Sequence, residues 1–141
     1  MEKLIQITDK PIDVEFLKNW IVDPTCGAVV SFIGQVRNEN DEREVLELEY
    51  TAYTDMALKQ LDSILREVSS TWNVRKCAVF HRQGVLKIGE TAVAVFVTSI
   101  HRREAFLACQ YIIDELKKRV PIWKREKYRD GSTWIGQQCT H

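Results

Sequence analysis

Residues 91–100 read TAVAVFVTSI, and this run limits the fold more than any other segment. A half-exposed strand alternates apolar with polar side chains. A nearly continuous apolar run bounded by turn signals instead predicts a strand covered on both faces. The chain has 141 residues from which to supply that cover. This length suits one domain with a sizeable core, so 1–141 is read as a single domain. No linker, low-complexity tract or internal repeat interrupts it.

The remaining segments alternate in period. Residues 3–8 predict a short strand. Asp13 is placed to cap a helix running to about residue 22, with Val14, Leu17 and Ile21 on one face, and Asp23 and Pro24 close it. Residues 27–37, GAVVSFIGQVR, predict a strand rich in β-branched side chains. Residues 38–43 are polar and predict a loop. In residues 45–53, Leu46, Leu48 and Tyr50 alternate with Glu47, Glu49 and Thr51, which predicts a half-exposed strand paired with its predecessor. Residues 55–69 are helical in period, with Leu58, Leu61, Leu65 and Val68 on one face. A strand over 74–82 follows, then VLKI between the turn signals Gly84 and Gly89. A helix from about 104 to 119 is expected to bury Phe106, Cys109, Ile113 and Leu116. Residues 123–128 and 133–135 predict short closing strands. Strands and helices alternate without a regular βαβ period, so the expected class is α+β with a mixed, mostly antiparallel sheet and packed helices.

Several functions are disfavoured at once. No apolar run reaches the ~18 residues that span a bilayer, and MEKLIQITDK lacks the pattern of a secretion signal. A soluble, cytoplasmic protein is expected. Cys26, Cys77, Cys109 and Cys139 are scattered without a CxxC pair, which favours inert thiols over a zinc site or a disulfide framework. Lys plus Arg and Asp plus Glu number 20 each, so net charge is zero and general affinity for nucleic acid is not expected. Glu39, Asp41, Glu42, Glu44, Glu47 and Glu49 form an acidic stretch, while Lys117, Lys118, Arg119, Lys124, Arg125, Lys127 and Arg129 form a basic one. A local basic site on a neutral chain suits a small anion. No GxGxxG, Walker-type loop or GxSxG elbow is present, and the acidic residues lack metal-site spacing.

Three clusters carry chemistry. Pro121 breaks the helix after Lys117, so Lys117 and Lys124 can converge from different elements. Lysines among other cations, with Trp123 as a shield, are candidates for a lowered pKa. The plain alternative is that basic residues stabilise the last turn of a helix. Arg37 and Asn38 end a strong strand, either as a solvated end or as an anion clamp. His101, Arg102 and Arg103 open a helix, where two cations oppose the macrodipole unless an anion is bound. They can equally be surface arginines beside a hydrogen-bonded histidine. His81 reads as a satisfied strand histidine.

These residues fall in five ordered motifs: GAVVSFIGQVRN, LELEYTAY, VFHRQGVLKIGE, VFVTSIHRREAF and LKKRVPIWKRE. Together they resemble the catalytic (large) subunit of molybdopterin synthase, nearly end to end. The resemblance implies an α+β fold with an α/β-hammerhead core. It implies a homodimer joined by two small ubiquitin-like subunits into a heterotetramer. It also implies transfer of two sulfurs from the partner's Gly-Gly thiocarboxylate to cyclic pyranopterin monophosphate (precursor Z), forming a dithiolene. No metal or organic cofactor is implied. Lys117 and Lys124 match the family's functional lysines. Arg37, His101 and Arg102 match its substrate pocket, with the His-Arg pair supplied across the dimer. Gln35 and Val36 line the same strand end, and Arg125 and Glu126 flank Lys124. Gln35 stands where some members have lysine. A non-catalytic scaffold that binds the ubiquitin-like partner and an RNA- or phosphate-binding module are the rival readings. The cationic set argues against the first and zero net charge against the second.

Overall fold

The computed structural model of the chain describes residues 1–40 and 42–137. Its elements are β1 (Glu2–Thr8), α1 (Val14–Trp20), β2 (Ala28–Gln35), β3 (Glu39–Asn40), β4 (Arg43–Ala52) and α2 (Thr54–Thr71). Then come β5 (Val74–Arg82), β6 (Gly84–Lys87), β7 (Thr91–Ser99), α3 (Arg102–Arg119), β8 (Ile122–Tyr128) and β9 (Thr133–Gln137). The α+β class expected from the sequence is found. One sheet has the order β1-β5-β7-β2, with β1 parallel to β5 and the other pairs antiparallel. The second has the order β3-β4-β8-β9, with β6 also against β4, and is antiparallel throughout.

β7 lies inside the first sheet, and both its faces are covered. Val93, Val95 and Val97 join a core with Leu61, Leu65, Ile112 and Leu116 of α2 and α3. Ala94 and Phe96 point the other way and pack with Leu17 and Ile21 of α1. Strand periodicity accounts for the split, since successive side chains take opposite faces. α1 starts where Asp13 accepts a hydrogen bond from the Phe16 amide at 3.0 Å, as a capping residue should.

Four local expectations change. β4 does not pair with β2, its long predecessor; β2 pairs with β7, and β4 founds the second sheet. β2 is apolar enough to sit beside β7, whereas β4 alternates and needs only one covered face. Residues 38–43 are not wholly loop, because β3 pairs with the start of β4 as a small hairpin in which Glu42 adopts a left-handed φ of 64°. A bulge between Val45 and Glu47 shifts the alternation, so Val45, Leu48 and Tyr50 are buried while Leu46 is exposed. In α3 the stripe runs through Ala105, Ala108, Cys109, Ile112, Ile113 and Leu116, and Phe106 is 61% exposed. Two small alanines let the helix close onto the sheet, which turns Phe106 outward.

The acidic and basic stretches largely answer each other. β4 and β8 pair with Glu49 opposite Arg125 and Glu47 opposite Lys127. Arg125 lies 3.8 Å from Glu49, and Arg129 lies 2.7 Å from Glu44. Such exposed pairs add little stability, but they fix which strands meet. Cys77 and Cys109 are buried, and desolvation pushes their thiols up to about 12 and about 11. Cys26 is half-buried, and Cys139 lies outside the described residues.

α3 is tied to α2 through one carboxylate. Arg119 reaches both oxygens of Glu67, at 2.8 and 2.9 Å, and the Tyr111 hydroxyl donates to the same group. The Arg119 bonds, then Tyr111, hold the Glu67 carboxyl at about 2, well below its ordinary 4.5. A depressed carboxyl contributes stability above the ordinary value and loses it as pH falls toward the depressed one. Glu67→Gln should therefore lower the melting temperature at pH 7, and the gap to wild type should narrow from about pH 4.5 toward pH 2. A gap that stays constant over that window would rule out the carboxylate as its source.

Candidate functional site

The site is built on β8, whose sequence IWKREKY alternates strictly between the two faces. Ile122, Lys124, Glu126 and Tyr128 point inward; Trp123, Arg125 and Lys127 point outward. Two charged residues thus share a face with an isoleucine and a tyrosine. Lys124 Nζ and Glu126 Oε1 are 3.1 Å apart, and the two side chains are only 4% and 3% exposed. The Tyr128 hydroxyl donates to Glu126 Oε2 at 2.5 Å. A buried pair survives only if its charges are matched and its remaining lone pairs are met, and both conditions hold here.

Lys124 and Glu126 open into a cleft lined also by Gln35, Arg37, Glu39, Val45 and Leu48. Its free volume is about 10 Å³, roughly room for one water. The bulge between Gly34 and Gln35 re-aims the end of β2, so that Gln35 reaches this cleft. Val36 follows with its side chain in the core. Its amide donates to the Glu90 carbonyl at 3.0 Å, and its carbonyl accepts from the Gly89 amide at 2.9 Å. Gly89 takes a φ of 87°, open to glycine at little cost, and so makes this tie available. Val36 therefore anchors the strand end through which Arg37 enters the cleft.

Lys117 stands in the last turn of α3, with its ammonium nitrogen out of solvent. Val120 leaves the helix at ψ 125°, and Pro121 leads directly into β8. The two lysines do come from different elements, as expected. Lys117 is not among the residues lining the small cleft. Arg125 is not there either: it lies on the opposite face, against Glu49. The aromatic ring beside Lys124 is Trp134 of β9, 5.7 Å from Nζ, whereas the expected shield Trp123 faces solvent on the other side. Strand parity gives both corrections, and the alternation of WKREKY carries that signal.

His101 is the N-cap residue of α3, and both it and Arg102 are exposed. Fifteen residues separate Arg102 from Lys117 along α3, about 22 Å at 1.5 Å per residue. Their backbones therefore stand at opposite ends of α3 within one chain. His81 is buried, with Nδ1 2.6 Å from the Arg82 carbonyl and its ring edge-on to Tyr50, as a satisfied strand histidine. Among the described residues, no group of three or more His, Cys, Asp or Glu is arranged to hold a metal.

This arrangement defines an α+β protein with two sheets and a small cleft lined by two cations, Arg37 and Lys124, and two carboxylates, Glu39 and Glu126. The chain belongs to the MoaE protein family, whose model matches residues 7–119. It is 42% identical over 135 residues to the molybdopterin synthase catalytic subunit of Arabidopsis thaliana, covering 94% of this chain and 68% of that one. It is 41% identical over 133 residues to the Bacillus subtilis protein of the same name, covering 94% and 85%. Among solved structures, the molybdopterin synthase of Staphylococcus aureus superposes with a TM-score of 0.87 at 35% identity, over 94% of this chain and 96% of that one. A structure of subunits 1 and 2 of the Helicobacter pylori molybdopterin-converting factor in complex shares the fold, with a TM-score of 0.78 at 20% identity over 97% and 92%.

Because the pair is buried, removing one partner strands the other charge. Lys124→Met should lower unfolding free energy by about 3 kcal/mol in a urea titration. Adding Glu126→Leu to it should restore most of that loss. Equal stability for the single and double variants would mean that the two charges are not coupled.

Proposed function

We propose that the chain acts as the catalytic subunit of a molybdopterin synthase. It transfers two sulfurs from the thiocarboxylated tail of a small ubiquitin-like subunit to precursor Z. The observation that carries this reading is the cleft where Lys124, held by Glu126, meets Arg37 and Gln35. An ammonium and a guanidinium suit a small phosphate-bearing ligand, and Arg37 offers it a bidentate fork. Glu126 offsets the charge of Lys124, which makes a buried cation tolerable at this position.

In each transfer the thiocarboxylate sulfur bonds to a substrate carbon as a C–O bond there breaks, giving a thioester; water then adds at the acyl carbon and the acyl C–S bond breaks, leaving a carboxylate on the tail and a thiol on the substrate. Charge then develops on the acyl oxygen, and a nearby ammonium lowers that barrier. Lys117 takes this role, its amine withdrawn from solvent at the end of α3. Lys124 positions the substrate and moves protons as the cyclic phosphate opens. Val36 fixes the strand end beside Gln35 and Arg37, while Arg125 acts from the outer face through the β4–β8 pairing.

The spacing along α3 supports an assembly of more than one copy. With the Arg102 backbone about 22 Å from that of Lys117 along α3, and His101 just before it, this reading has the His-Arg pair serve substrate at the site of a second copy. A homodimer carrying two small subunits, a heterotetramer, meets that need, and the Helicobacter pylori complex of two subunits is in keeping with it. The same reading assigns the protein to the cytoplasm; among the described residues no helix is long and apolar enough to cross a membrane.

Single-turnover conversion of precursor Z, with thiocarboxylated partner in excess, tests the reading. Wild type should form the dithiolene, and Lys117→Ala and Lys124→Ala should each slow it about 10²-fold or more. Near-normal product formation by Lys117→Ala would sink the assignment of that lysine. Tight partner binding with no product from wild type would point to a scaffold.

A further inference from the structure

We propose that Tyr128 is a positioning residue of this site: its hydroxyl fixes the Glu126 carboxylate, which in turn aims the Lys124 ammonium into the cleft. The inference rests on the functional reading above. It is carried by a row of contacts running inward from the surface. The Arg43 guanidinium sits 3.8 Å above the Tyr128 ring and is itself bound to Asp130 at 2.9 Å and to Ser132. The ring, only 5% exposed, is thereby held between β4 and the turn joining β8 to β9. Its hydroxyl occupies one oxygen of Glu126 at 2.5 Å, and Lys124 takes the other at 3.1 Å.

That division of the carboxylate matters. With a donor on each oxygen, Glu126 cannot turn about its last bond without giving up one of them. Lysine has a flexible four-carbon stem, so its ammonium is only as well placed as the group that holds it. A misplacement of about 1 Å can cost about 10²-fold in rate. Tyr128 is not among the residues lining the cleft; it acts through Glu126.

Tyr128→Phe removes the hydroxyl and keeps the ring under Arg43. In single-turnover reactions at saturating precursor Z, its rate constant should fall about tenfold with half-saturation within twofold of wild type. The amplitude reports the folded fraction and the rate constant does not, so a folding defect is told apart from a positioning defect. Arg43→Ala keeps the hydroxyl but frees the ring, and should lower the rate constant by a smaller factor, about threefold. A second readout needs no activity: the Nζ–H signal of Lys124 in nitrogen-15 NMR, assigned by its loss in Lys124→Arg. It should exchange slowly in wild type and become fast or vanish in Tyr128→Phe. A wild-type rate constant in Tyr128→Phe, or an unchanged Lys124 signal, overturns the proposal. Wild type without product overturns the functional reading instead, and the NMR comparison then decides whether Tyr128 holds the pair.

Discussion

A strand that is apolar on both faces from Ala92 to Val97 has to be enclosed, and the molecule is organised around that enclosure. β5 and β2 close its edges, α2 and α3 cover one face, and α1 covers the other. The ends of β7 then have fixed neighbours. One end turns directly into α3, whose far end holds Lys117. The other meets the Gly89–Glu90 turn that ties Val36, and so presents Arg37. The positions of Lys117 and Arg37 are thus set by what β7 needs to bury, through elements that have little chemistry of their own.

The electrostatics divide in two. On the outer face of the second sheet, Glu44, Glu49, Arg125 and Arg129 cancel in exposed pairs. On its inner face a single buried pair, Lys124 with Glu126, remains beside Arg37 at a small opening. The cleft thus sets two cations, Arg37 and Lys124, beside two carboxylates, Glu39 and Glu126, on a chain of zero net charge. Arg119, counted in the basic stretch, is committed to Glu67 and serves the packing of α3.

How much of this was legible follows from the range of each signal. β5, β7 and the cap at Asp13 were readable because the causes are local: apolar period and a side chain three residues from its partner. Lys124 and Glu126 were legible as a motif, and strand parity in WKREKY would also have sent Arg125 and Trp123 to the far side. The β2–β7 pairing and the split into two sheets were not legible, because they join segments far apart in the sequence and leave no local pattern. Phe106 misled because a helix stripe is centred by what it packs against, here through Ala105 and Ala108. Trp134 and Tyr128 escaped notice because their roles arise only when β8 pairs with β9 and β4.

Only Val120 and Pro121 join the last residue of α3 to the first of β8. Helix and strand thus meet at a two-residue elbow, with one amine on each side of it. A third residue there would change both the angle at which the strand departs and the side of the sheet on which every later residue lands. The length of this joint therefore fixes the relative placement of the two lysines as firmly as their own positions in the sequence do.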